Sequence, residues 1–101
     1  MISKREAAKG YAAVGSEPRL DVLLLLIKAG EEGLTISEIG NHLGFAASTL
    51  AHHLRFLVEA KMVPQEKQGR EVRNTANFFY LEELENYLLL ECCNDSDKSG
   101  G

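Results

Sequence analysis

A mainly α fold carrying one small β-hairpin is predicted by three observations on this 101-residue chain. Apolar residues recur at helical spacing over most of its length. The helical stretches are punctuated by capping residues and glycines. The period breaks once, at "MVPQEKQGREVRNTA", where apolar ends flank a polar tip with one glycine. The composition, 45% hydrophobic and 26% charged, suits one small folded domain. No apolar run approaches ~20 residues, so no membrane span is expected.

The elements follow in order. "SKREAAKGYAAVG" predicts a first helix with Ala7, Ala8, Tyr11, Ala12 and Val14 on its apolar side. Gly10 weakens it by ~1 kcal/mol relative to alanine. "SEPRLDVLLLLIKAG" predicts a second, with Ser16 or Glu17 as cap, Pro18 in the first turn and Gly30 as the stop. Leu20, Leu23, Leu24 and Ile27 fall at helical spacing along it. "TISEIGNHLG" predicts a short third helix, because Thr35 and Glu38 form the S/T-x-x-E capping box. Ile36, Ile39 and Leu43 give its buried side. A tight Gly44-Phe45-Ala46 connection leads into "AASTLAHHLRFLVEAKMV", the fourth helix. The hairpin turns near Gln68–Arg70, and Pro64 confines its first strand to an edge. "NFFYLEELENYLLLECC" predicts the last helix, capped by Asn77, with Phe78, Leu81, Leu84, Leu88 and Cys92 on one side. The expected domain is 1–93, and "NDSDKSGG" at 94–101 reads as a flexible polar tail. A capped short helix, a glycine turn and a longer helix make a helix-turn-helix, and the hairpin after it is a wing. The fold is therefore a winged helix-turn-helix with five helices and a two-stranded wing.

The fourth helix carries the chemistry. At about 100° per residue, Leu50, Leu54, Leu57 and Val58 share one side. Ser48, Thr49, His52 and Arg55 point away from it. Short hydroxyls, an imidazole and a guanidinium are what a major-groove helix needs, since base edges offer donors and acceptors there. Small Ala46, Ala47 and Ala51 allow close approach of the helix start, whose dipole favours phosphate. The wing offers Lys67, Arg70 and Arg73 to backbone phosphates or a minor groove. The plain alternative for both is a solvated surface. Metal binding by His52 and His53 is disfavoured, because adjacent helical positions diverge by about 100°. No nucleophile–base set is visible, so an enzyme is not expected.

The net charge of −4 does not by itself suggest nucleic acid. Its distribution does: residues 1–16 and 52–75 each carry +2, while 17–51 carry −3 and 76–101 carry −5. The start of the chain lacks the apolar stretch of a secretory signal, so a cytoplasmic protein is expected. The two cysteines, Cys92 and Cys93, are adjacent, which is no disulfide framework. In a reducing cytosol they read as free thiols, ligands or redox groups.

"EPRLDVLLLL", "LTISEIGNHLGFAASTLAHHLRFLVEAKMV" and "EKQGREV", in that order, resemble the ArsR/SmtB family of small winged-helix repressors. The resemblance implies a homodimer on a pseudo-palindromic double-stranded DNA operator, with the first and last helices at the dimer interface. It places Ser48, Thr49, His52 and Arg55 on the DNA-reading helix and Arg70 on the wing. A dimer is also expected from the last helix itself, whose broad apolar girdle from Phe78 to Leu90 exceeds what one-sided packing requires.

The chain departs from the family in its sensing residues. Where many members carry Cys-x-Cys before the recognition helix, this chain has Thr35 and Ser37. The last helix carries Glu82, Glu85 and Glu91 but no histidine, so the Asp/His zinc site of other members is not matched. Cys92 and Cys93 remain. Thiolates suit an arsenite-type or other thiophilic ion, with a third ligand from the partner protomer or an exogenous thiol. Oxidation of the pair is a second reading, and plain packing without sensing a third. The rival class for the whole chain is a protein-interaction winged helix that does not bind DNA.

Overall fold

Four of the five α-helices start on a side-chain cap in the computed structural model, which describes the backbone over residues 1–99 and side-chain environments over residues 1–90. Helix α1 spans Lys4–Ala13, and Ser3 with Glu6 closes a capping box at its start. Helix α2 spans Glu17–Ala29; the Ser16 hydroxyl accepts from the Arg19 backbone N–H, and Gly30 ends the helix at φ 70°. A single 3-10 turn, Gly30–Glu32, leads to α3, Ile36–Leu43. The expected Thr35–Glu38 box opens α3, and Gly44 closes it in the left-handed conformation. Helix α4 spans Ala47–Glu59. Strands β1, Gln65–Gln68, and β2, Glu71–Asn74, pair antiparallel around a Gly69–Arg70 turn, with Gln68 opposite Glu71. Helix α5 runs Phe78–Ser99, with the Asn77 side chain accepting from the Tyr80 N–H. It thus continues as helix through Asn94, where the composition suggested a tail.

The core gathers one face from each helix. Val22, Leu23 and Leu26 of α2 meet Ile39 of α3 and Leu50, Leu54 and Leu57 of α4, all buried, and Met62 and Val63 close the cluster below the hairpin. Helix α1 lies against α5 through Gly10, where an added Cβ would sit 3.0 Å from Leu84 Cδ1. The glycine that weakens α1 locally thus permits its close approach to α5. The Tyr11 hydroxyl donates to the Leu84 carbonyl at 2.6 Å across the same seam.

Three expectations need correction. On α2 the buried residues are Val22, Leu23 and Leu26; Leu20 and Leu24 are exposed and, with Ile27, line a groove against α1 and α5. So many leucines in succession leave the helix face unmarked by spacing alone. On α5 the buried residues are Tyr80 and Leu84, while Phe78 and Leu88 are exposed. The Tyr11–Leu84 contact sets that rotation. On α1, Ala8 and Ala12 face solvent, and Ala7, Gly10 and Ala13 are buried.

One piece of structure has no counterpart in the sequence pattern. Leu34 and Asn74 form a one-residue antiparallel bridge, with N–H to O distances of 2.9 and 2.8 Å. The fully buried Asn74 side chain donates to the Leu34 carbonyl at 3.0 Å and accepts from the Gln65 amide at 2.8 Å. Gly33, at φ 65°, makes this approach possible, since a Cβ there would lie 2.3 Å from the Asn74 oxygen. The bridge sews the start of the helix-turn-helix to the base of the wing.

Candidate nucleic-acid interface

Helix α4 is held by its buried leucines, and its opposite face is open. Ser48, Thr49, His52 and Arg55 are all exposed. The helix begins at Ala46, which offers no side chain to the first-turn N–H groups. Those donors are therefore free at the positive end of the helix dipole. Arg55 shares a cleft with Gln65, so the exposed face of α4 runs onto the base of β1. At the far end of the hairpin Lys67 and Arg70 are exposed, and among the described residues neither makes an ion pair.

Arg73 is placed differently from the other two wing cations. Its guanidinium turns back to the protein, with Nη1 3.1 Å from Glu38 Oε1 and Nη2 3.7 Å from Glu71 Oε1. Glu38 Oε1 also accepts from the Thr35 backbone N–H at 2.8 Å. That backbone hydrogen bond, with help from the Thr35 hydroxyl and Arg73, holds the Glu38 carboxyl below its ordinary pKa against a smaller opposing effect of burial.

The two histidines part company. His52 is exposed, its ring edge-on to Phe56 at 5.1 Å between centroids. His53 tucks beside Phe45 at 5.8 Å, and its Nδ1 is buried without a hydrogen-bond partner. Burial first, then the nearby Arg19 and His52 charges, push its pKa below the ordinary 6.5. Arg19 lies 4.7 Å over the Phe56 ring, and its Nε donates to the Ala13 carbonyl at 2.6 Å. One side chain thereby closes the end of α1 and covers the flank of α4. The Arg19 contacts, the inward packing of His53 and the pairing of Glu38 with Arg73 are not among the sequence-based expectations. Of these only His53 carries a sequence signal, since one helical step from the outward His52 brings it nearer the Leu50, Leu54 and Leu57 side.

Among the described residues no three His, Cys, Asp or Glu side chains converge, and no helix is long and apolar enough to cross a membrane. Cys92 and Cys93 lie outside the described side chains.

Known proteins share this arrangement. The sequence model described as "Bacterial regulatory protein, arsR family" matches residues 16–64, which run from the α2 cap to the base of the wing. The transcriptional repressor SdpR of Bacillus subtilis is 26% identical over 74 residues, covering 73% of this chain and 80% of that protein. An ArsR-like transcriptional regulator from Rhodococcus sp. RHA1 superposes with a TM-score of 0.84 at 25% identity, covering 95% of this chain and 88% of that one. A winged helix-turn-helix DNA-binding domain from Mycobacterium bovis, described as homodimeric, superposes at 0.66 with 19% identity, over 99% and 94% of the two chains.

Proposed function

We propose that the chain is an arsR-type bacterial transcriptional regulator, a reading supported by the match of that family's sequence model to residues 16–64 and by the similar proteins, and that it is a homodimeric repressor that binds a pseudo-palindromic operator and is released through its C-terminal thiols. One observation carries the DNA reading: the outward face of α4, with Ser48, Thr49, His52 and Arg55, begins at an uncapped helix start and runs toward a wing bearing the exposed Lys67 and Arg70. Arg55 reads a base edge, bidentate to guanine where the sequence offers one. Ser48 and Thr49 bond phosphate or base at the helix start, and His52 donates to a purine acceptor or phosphate. Lys67 and Arg70 neutralise phosphates beside the groove.

The repressor and homodimer readings draw on the similar proteins, one named a repressor and one described as homodimeric. Release is assigned to Cys92 and Cys93 on their chemistry: two adjacent thiols bind a thiophilic ion or give up two electrons to an oxidant. Replacing both by serine leaves DNA binding intact and abolishes release by arsenite or oxidant in a mobility-shift titration. An unchanged response removes the thiols from the mechanism.

The test of DNA binding is the same titration on the region upstream of the protein's own gene, across a salt series. Specific retention is expected, weakening steeply with salt as counterions are displaced. Arg55→Ala costs about 1–3 kcal/mol on the specific site and little on unrelated sequence. A chain that retains no DNA at low salt is instead a winged-helix module for protein partners.

A further inference from the structure

We propose that Arg73 is a positioning residue: seated on the Glu38 carboxylate, it fixes the angle at which the wing leaves the body, and so where Lys67 and Arg70 meet the duplex, without contacting nucleic acid itself. The proposal deepens the operator-binding reading and rests on it.

The wing has almost nothing else to hold it. β1 is exposed at every residue, and Glu71 and Val72 of β2 are exposed too. An open cleft lined by Thr35, Ile36, Ser37, Arg70, Glu71 and Val72 separates the outer hairpin from the start of α3. An isolated two-stranded hairpin is marginal in water. Its base is fastened at Asn74, and Arg73 is the next residue toward the tip that touches the body. Nη1 of Arg73 reaches Glu38 Oε1 at 3.1 Å and the Gly33 carbonyl at 3.5 Å. The same carboxylate oxygen accepts the Thr35 N–H at 2.8 Å, so one atom joins the wing to the first turn of the helix-turn-helix. Arg70 lies three residues beyond, about 10 Å along an extended strand. A tilt of about 20° at Arg73 moves it by about 3–4 Å, enough to break a phosphate hydrogen bond.

The charges agree. Arg73 has Glu38 and Glu71 within 4.0 Å, and Glu66 stands opposite it across the hairpin. It therefore brings little net positive charge to a phosphate. Lys67 and Arg70, without such partners among the described residues, carry that charge instead.

Fluorescence anisotropy of the full chain on its operator, over a salt series, tests this with Arg73→Ala, Glu38→Gln, the double variant and Arg70→Ala. Glutamine keeps an oxygen for the Thr35 N–H, so the helix cap survives while the ion pair is lost. Arg73→Ala and Glu38→Gln are each expected to weaken binding about fivefold, the upper end for a part-exposed ion pair. The double variant is no worse than either single, and Arg73→Lys restores much of the loss. The slope of log affinity against log salt stays within about half a unit of the parent, whereas Arg70→Ala lowers its magnitude by about two, one for each protomer of the dimer. A slope whose magnitude falls by about two in Arg73→Ala, with tighter binding in Glu38→Gln, makes Arg73 a phosphate ligand and overturns the proposal. Additive losses or unaltered affinity overturn it as well. If the parent chain itself binds no DNA at low salt, the operator reading fails and this proposal falls with it; the other contrary outcomes leave that reading standing.

Discussion

His52 and His53 share a peptide bond and occupy different solvents. One lies on the open face of α4; the other has a buried Nδ1 with no partner, against Phe45. A protonated His53 would need a buried charge stabilised, and the groups facing it, Arg19 from α2 and His52 from α4, offer no negative charge. The pH consequence has a definite direction. The unfolded chain binds its proton near the ordinary value of 6.5, and the folded chain only at lower pH. Stability from this residue is complete above the unfolded value and declines as pH falls from there toward the depressed folded value. Urea midpoints should therefore drop between pH 7 and pH 5, and His53→Phe should flatten that part of the profile. Glu6 and Glu38, both depressed from 4.5, lose their contributions in a lower window, so the two effects separate. An identical pH profile in the parent and His53→Phe would show that the imidazole is not what titrates. At this scale sequence reading is uneven. The helical wheel put Ser48, Thr49, His52 and Arg55 outward because Leu50, Leu54 and Leu57 define the inner face without ambiguity. It could not foresee that Arg73 turns back to Glu38, because the two are 35 positions apart and meet only once the wing has folded over α3.

Among the elements, α3 and α4 differ in how they begin. Helix α3 has a complete capping box, legible in the sequence because Thr35 and Glu38 stand at the required spacing. Helix α4 has Ala46 at its cap, which leaves the first-turn donors without a side-chain partner. A poor cap on the helix that faces outward is a local cost that a bound phosphate would offset. Ala46 already has extended backbone angles, φ −67° and ψ 150°, which aspartate adopts without strain. Ala46→Asp is thus expected to stabilise the fold by about 1 kcal/mol in thermal or urea unfolding. It should also weaken operator binding by about tenfold, because the donors are taken and a negative charge stands where phosphate would sit. Greater stability without weaker DNA binding would show that the start of α4 lies away from the duplex. The Leu34–Asn74 bridge shows where element reading stops. A strand of one residue has no alternation to detect, and its partner is 40 positions away. The rotations of α2 and α5 are hidden for a different reason: leucines fill several faces of both helices, and the inward face is marked only by tertiary packing, of Val22, Leu23 and Leu26 in the cluster with α3 and α4 and of Leu84 on Gly10 and Tyr11.

For the whole molecule the decisive feature is apolar surface left open. Leu20, Leu24, Leu88 and Leu89 are 41%, 47%, 57% and 48% exposed, and together with Tyr11 and Leu81 they line one groove along α1, α2 and α5. A patch of contiguous leucines at that exposure is unusual on a monomer, whereas a two-fold partner would cover it. Such a partner would also supply the second copy of α4, about one DNA turn from the first, that the proposed pseudo-palindromic site requires. Because Leu24 and Leu88 contribute little to the monomer core, Leu24→Glu with Leu88→Glu should leave helical circular dichroism intact. The like charges then repel across the two-fold axis, and sedimentation should show a monomer. Its operator binding should be weaker, and the dependence of log affinity on log salt should be about half the parent's, since half the phosphate contacts are lost. A parent chain that already sediments as a monomer, or a variant that keeps the full salt slope, would mean that one copy reads the whole site and that the leucine groove serves some other contact.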